Sequence, residues 1–150
     1  MAVIRYSTRP LPATAYVPGS SPRADRPAEL PPRGTVDIDD LAGHDDFRFG
    51  VDLFNHGFPW EAHEAWEPLW FAASRERPER ALLHGLIHAA AAVVKAKAGA
   101  FPTARDFIES ACEHLALASS TAILDAPALI LALREWADDP ALPAPTIVLA

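Results

Sequence analysis

The stretch PERALLHGLIHAAAAVVKAKAG, residues 78–99, decides the fold of this chain. Apolar side chains surround its middle from Ala81 to Val94, whereas the helix of a protein surface is apolar on one side only. Pro78 favours the start of a helix and Gly99 favours its end. The pattern therefore predicts a long central helix that neighbouring helices bury on most sides.

Four further segments have the periodicity of helices, and no segment alternates as a strand would. They cover about residues 44–56, 59–73, 102–119 and 127–137, with Gly57 at the end of the first. Pro68 lies inside the second, where it removes one backbone hydrogen bond and is expected to kink or divide the helix. Short connections between these segments predict an all-α fold, a small bundle of about five helices in residues 37–140.

The two ends of the chain are rich in proline. Seven of the fifteen prolines lie between positions 10 and 32, where neither a helix nor a strand ladder can propagate. We expect residues 1–36 to form a disordered or extended arm, whose first stretch AVIRYS can attach to the domain. Residues 141–150 are expected to form a C-terminal tail with a small apolar patch that docks on the surface.

Charge argues against nucleic acid as a partner, and the length of the apolar runs argues against a membrane span. Residues 1–36 have a net charge of +3 and residues 37–150 a net charge of −10. An acidic body repels phosphate backbones, so we expect no binding to nucleic acid. The longest strongly apolar run, residues 89–94, is far shorter than the roughly 20 residues of a membrane span. The expected partner is a small molecule or another protein, and a homo-oligomer is as compatible with this composition as a monomer.

The cysteine content and the first residues of the chain indicate its cellular compartment. The single cysteine, Cys112, excludes an internal disulfide framework. The opening residues MAVIRYSTRP lack the apolar stretch of a secretory signal. These features predict a soluble cytoplasmic protein.

The second predicted helix, PWEAHEAWEPLWFAA, carries a stripe of aromatic and ionisable side chains. At 100° per residue, the four side chains Trp60, His63, Glu67 and Trp70 lie within an arc of about 80°. A stripe with two indoles is expected to be at least half buried, which would bring His63 and Glu67 together as a pair. Removing one partner of a buried pair leaves the other unsatisfied, so the pair has a structural explanation as well as a functional one.

The candidate functional residues follow from this stripe and its flanks. His63 and Glu67, with Glu64 at the edge of the stripe, are the candidates for catalysis. The ligand-binding candidates are Asn55, Trp60, His63, Glu67 and Trp70.

The central helix adds His84 and His88, which lie one turn apart. Two histidines at this spacing can bind one metal ion, and His63 with Glu67 from an antiparallel neighbour would complete a site. The sequence positions of His56 and His114 do not require these two histidines to lie near this metal site. The motif HEAWE lacks the second histidine of the zinc-protease signature.

The stretch FNHGFPWEAHEAWEPLW, residues 54–70, resembles the signature of a bacterial and archaeal family called domain of unknown function 309. That signature is a histidine, three residues, a glutamate, two residues and an aromatic residue, here His63, Glu67 and Trp70. The resemblance covers about residues 44–120 and implies an all-helical domain without an established activity. Since glutamine is common in that family where this chain has His88, the resemblance favours His63 and Glu67 as the shared site.

Two functions stay open on these grounds. The first is a small helical domain whose partly buried His/Glu/Trp site has a structural or ligand-binding role, without a cofactor. The alternative is a metal-dependent, hydrolase-like enzyme that uses a divalent ion held by His63, Glu67, His84 and His88. The sequence predicts no particular reaction.

Overall fold

The computed structural model describes residues 3–18 and 38–150, and its described part is an all-α bundle, as the sequence predicts. Each observed helix bound lies within three residues of the predicted one. Within the described residues, the one isolated β-bridge joins Leu124 and Leu149 in antiparallel fashion. The helices are α1 (Asp45–Asn55), α2 (Pro59–Ala72), α3 (Pro78–Lys97), α4 (Phe101–Ala116) and α5 (Ala126–Asp138), with short 3₁₀ turns at Leu41–Gly43 and Ser119–Thr121.

The central position of α3 agrees with its apolar sequence. It packs against both α2 and α4, while α1 packs on α2 and α5 packs on α4. Trp70 contacts His84, whereas His63 lines a cavity together with Ala91, so residue numbers fall along α2 as they rise along α3. These two helices are therefore antiparallel. Among the described residues, no helix is both long enough and apolar enough to cross a bilayer.

The internal proline does not divide α2. The helix runs without interruption from Pro59 to Ala72, with Pro68 in its last two turns. A proline in this position removes one backbone donor, which is a local loss. Buried Trp66 and Leu69 anchor the helix on both sides of Pro68, so the packing holds the two parts in one helix.

Trp66 is the largest side chain of the core, and it explains a glycine in α1. It is fully buried, and its indole Nε1 donates a hydrogen bond to the carbonyl oxygen of Phe47 at 3.1 Å. A Cβ atom at Gly50 would lie only 2.2 Å from that nitrogen. Glycine at this position therefore lets α1 approach α2 closely enough for the indole to reach the backbone of α1.

The described part of the N-terminal segment is attached to α1 through one buried carboxylate. Asp52 is completely buried, and its Oδ2 accepts hydrogen bonds from Arg5 Nε and from the backbone N–H of Ser7, both at 2.9 Å. Its Oδ1 accepts from the backbone N–H of Tyr6 at 2.8 Å. Residues 3–18 follow the domain surface in this way, and the remaining positions of the expected arm, 1–2 and 19–36, lie outside the described residues.

The C-terminal residues pack in the same region. Ile147 is buried, and its backbone exchanges two hydrogen bonds with the side-chain amide of Asn55, at 2.7 and 2.8 Å. The backbone N–H of Leu149 donates to the hydroxyl of Tyr6 at 3.2 Å. Both ends of the chain therefore depend on polar side chains at the end of α1.

We expect Asp52→Ala to lower the free energy of unfolding by about 2–4 kcal/mol, because it leaves several donors without their buried acceptor. Asp46→Ala is the matched control on the same helix, since its carboxylate is 54% exposed and pairs with Arg9 at the surface. The control should cost under about 1 kcal/mol. Urea denaturation measures both variants, and an Asp52→Ala protein as stable as the control would contradict this function of the carboxylate.

Candidate functional site

The candidate site lies beside a close contact between α3 and α4 at Gly85. A Cβ atom at Gly85 would lie 2.8 Å from Leu115 Cγ and 3.1 Å from the carbonyl oxygen of Ala111. Only glycine leaves room for this contact, in which the backbone of α3 meets the side chains and backbone of α4. The residues on either side of Gly85 along α3 are therefore held close to the surface of α4.

Three histidines come together at this contact. His84 and His88 of α3 lie beside His114 of α4, and one nitrogen of each ring lies within 4.8 Å of the others. The rings of His84 and His114 are stacked, with centroids 3.8 Å apart. The ring of His88 lies 4.5 Å from that of His84 and 5.4 Å from that of His114. All three side chains are partly buried, which places the cluster outside the fully buried core.

Neighbouring side chains orient two of these rings. The Oγ atom of Ser110, one turn before His114, lies 2.7 Å from Nδ1 of His88. On the other side of the cluster, the indole of Trp70 contacts His84 with ring centroids 5.3 Å apart. The guanidinium of Arg80 lies over the same indole, 4.5 Å from its centroid. The cluster thus has hydrogen-bonding support from α4 and an aromatic wall from α2.

The surroundings favour the neutral form of all three histidines. Burial, followed by the nearby charges of His114, His88 and Arg80, lowers the pKa of His84 to about 4. Burial also lowers the pKa of His88, with a smaller contribution from His114. Burial lowers the pKa of His114 as well, although the adjacent Glu113 opposes this. Near neutral pH each ring therefore has a lone pair for a metal ion or a hydrogen-bond donor.

His63 and Glu67 form a separate pair on α2. Nε2 of His63 lies 3.0 Å from Oε2 of Glu67, and Nδ1 of His63 lies 3.0 Å from the carbonyl oxygen of Trp60. Both neighbours are acceptors, so the ring donates to both only when both nitrogens carry protons. The side chains are 24% and 43% exposed, respectively. The pair is thus half buried, and water screens much of its attraction.

The structure distributes the other candidate residues over different environments. Asn55 uses both ends of its amide to bind Ile147. Trp60 lies against His63 with ring centroids 4.8 Å apart, and Glu64 is partly exposed. Cys112 is buried in the core, and burial raises the pKa of its thiol. His63 therefore lies beside Glu67 and Trp60, whereas His84 lies beside Trp70.

The sequence analysis did not place His114 in a site, although one signal was present. His84 and His114 lie equally far along the chain from Gly99, the glycine between α3 and α4, and so do His88 and Ser110. In an antiparallel hairpin, residues at equal distance from the turn face each other. His56 does not join the cluster, and its Nδ1 donates to the carbonyl oxygen of Asp52 at 2.8 Å.

The lowered pKa values predict how stability depends on pH. In the unfolded chain histidine titrates near 6.5, so between about pH 6.5 and 4 the unfolded state binds more protons than the folded state. Above about pH 6.5 the lowered pKa values do not change the free energy of unfolding. As the pH falls below about 6.5, they lower it progressively. Between pH 7 and pH 4, the free energy of unfolding of the His84→Phe variant should therefore fall by less than that of the parent protein. Urea denaturation across this range in a chelating buffer tests this, and parallel curves for the two proteins would contradict it.

Comparison with known proteins returned a family match within this region. No curated protein and no solved structure matches the chain. Residues 47–106 match the model of the family described as Domain of unknown function (DUF309). The matched residues include the His63–Glu67 pair and both histidines of α3, and they end before His114. The match confirms the resemblance inferred from the signature, and the chain is similar to this family over α1, α2, α3 and the start of α4.

Proposed function

We propose that this domain binds one divalent transition-metal ion, of the zinc class, through His84, His88 and His114. One observation carries the proposal, namely the convergence of three imidazole nitrogens from two helices within 4.8 Å. Imidazole is among the preferred ligands of zinc, and three protein ligands are typical of sites that keep one coordination position open. This set shares His84 and His88 with the set expected from the sequence and uses His114 in place of His63 and Glu67.

The protonation state of the cluster supports metal binding. A histidine must be neutral to coordinate a metal, and the lowered pKa values of all three rings favour that form. A proton on one ring would be repelled by the charge of a bound cation, so metal and protons compete for the same nitrogens. Affinity should therefore persist to a lower pH than it would for three ordinary histidines.

Ser110 supports His88 as a ligand. When Nδ1 of His88 donates to the serine oxygen at 2.7 Å, Nε2 keeps its lone pair and can face the ion. Contacts of this kind hold a ligand in the correct tautomer and orientation. Zinc–nitrogen bonds are about 2.0–2.1 Å long, so the rings of His84 and His114 must turn out of their stack to share one ion.

The position of the cluster fits an open coordination site. Each of the three side chains is partly exposed, so a water molecule or a small ligand can reach the ion from solvent. A water bound to zinc becomes more acidic and can act as a nucleophile near neutral pH. The hydrolase-like alternative requires this chemistry, and it therefore requires the metal centre.

The direct test is zinc titration of protein produced without a polyhistidine tag and stripped with a chelator, followed by calorimetry. We expect about one zinc ion per chain, and we expect His114→Ala to weaken binding more than tenfold, since even the loss of a supporting contact has that effect. His56→Ala is the matched control because this histidine lies outside the cluster. The control should bind zinc as the parent does.

A second variant separates the two ligand sets. His63→Ala should leave the zinc affinity unchanged if the ion lies between α3 and α4. An equal loss in His63→Ala and His114→Ala would contradict the proposed ligand set. A parent protein that binds zinc no better than the triple variant of His84, His88 and His114 would overturn the proposal, with circular dichroism showing that each variant is folded.

A further inference from the structure

A cavity lies about one helical turn along α3 from His88. It has a volume of about 240 Å³. Helix α3 contributes Ala91, Val94 and Lys95 to its wall, and Pro18 of the N-terminal segment closes one side. The remaining lining residues are Trp60, His63 and Phe107. The cavity therefore lies over α3, between α2 and α4.

The size of the cavity restricts its ligand to a small molecule. An engineered cavity of about 150 Å³ in another protein binds benzene. The present cavity of about 240 Å³ has room for one aromatic ring and a short substituent.

Two aromatic side chains on opposite helices give the cavity apolar walls of defined position. The indole of Trp60 is held between Tyr16, at a centroid distance of 5.1 Å, and His63. Phe107 contacts the ring of His88 with centroids 5.5 Å apart. Side chains fixed in this way lose little conformational freedom when a flat ligand enters between them.

The charge of the lining residues favours a ligand with a negative charge. Lys95, exposed at the rim, is the one residue of the lining with a permanent charge, and no carboxylate is among the described residues that form the wall. His63 already uses Nδ1 and Nε2 in its contacts with Trp60 and Glu67. The ammonium group of Lys95 is therefore the group available for a charged substituent.

We propose that this cavity binds a small aromatic carboxylate, with its ring between Trp60 and Phe107 and its carboxylate at Lys95. The inference goes beyond the metal centre and does not depend on it, since none of the three proposed metal ligands lines the cavity. Because Phe107 contacts both the cavity and His88, a ligand in this position would lie next to the metal centre.

The test uses phenylacetate as the probe, with phenethylamine and 2-phenylethanol as its cationic and neutral counterparts. Binding to the chelator-treated protein is followed by NMR through the indole N–H signal of Trp60, assigned with Trp60→Phe. We expect phenylacetate to shift this signal with a Kd of about 1 mM, the affinity usual for a ligand of ten heavy atoms. Phenethylamine should bind at least about threefold more weakly, the size of one solvent-exposed charge interaction.

Three variants make the test specific. Lys95→Glu should reverse the preference between the acid and the amine, whereas Lys97→Glu, on the same helix but outside the lining, should leave it unchanged. Ala91→Phe should fill the cavity and abolish the shift. A tighter complex with the amine, an unchanged preference in Lys95→Glu, or binding that requires added zinc would each overturn the proposal. The absence of a Trp60 shift with all three probes would overturn it as well.

Discussion

The close contact between α3 and α4 at Gly85 is the constraint on which the candidate site depends. A Cβ atom at this position would lie only 2.8 Å from Leu115, so any larger residue would separate the two helices. The same contact sets the distance from His84 and His88 on one helix to His114 on the other. The geometry of the histidines is therefore a consequence of backbone packing in the core, and their side chains do not determine it alone.

This arrangement has an energetic cost that a metal ion would offset. Burial disfavours the protonated form of each histidine, and the three rings together with Arg80 would repel one another if they were charged. Neutral rings remove the repulsion, and each ring keeps a lone pair, which on His88 is that of Nε2 when Nδ1 donates to Ser110. A divalent ion bound by these lone pairs would add its binding free energy to the stability of the folded state.

Most of the fold could be predicted from the sequence, because the helices follow local rules. Periodic apolar positions and the glycines at 57 and 99, both with positive φ, determine where the helices lie and end. The attachment of the N-terminal segment to Asp52 could not be predicted in detail, because it joins residues 45 to 47 positions apart through two backbone donors and the side chain of Arg5. The need for glycine at position 50 depends in the same way on the placement of Trp66.

The candidate site was only partly predictable for a related reason. Spacing within one helix predicts that His84 lies beside His88 and that His63 lies beside Glu67. The structure contains both pairs. The third histidine of the cluster comes from another helix, so it depends on the length of the turn around Gly99 and on how closely the helices pack. The residues that carry the family resemblance, His63, Glu67 and Trp70, lie on α2, and the family match ends before His114.

Anomalous diffraction across the zinc absorption edge, from crystals of the untagged protein grown with zinc, would locate the ion directly. One anomalous peak should lie about 2.0–2.1 Å from a ring nitrogen of each of His84, His88 and His114. A peak at His63 and Glu67, or zinc-soaked crystals without a peak at the three histidines, would contradict a metal centre between α3 and α4.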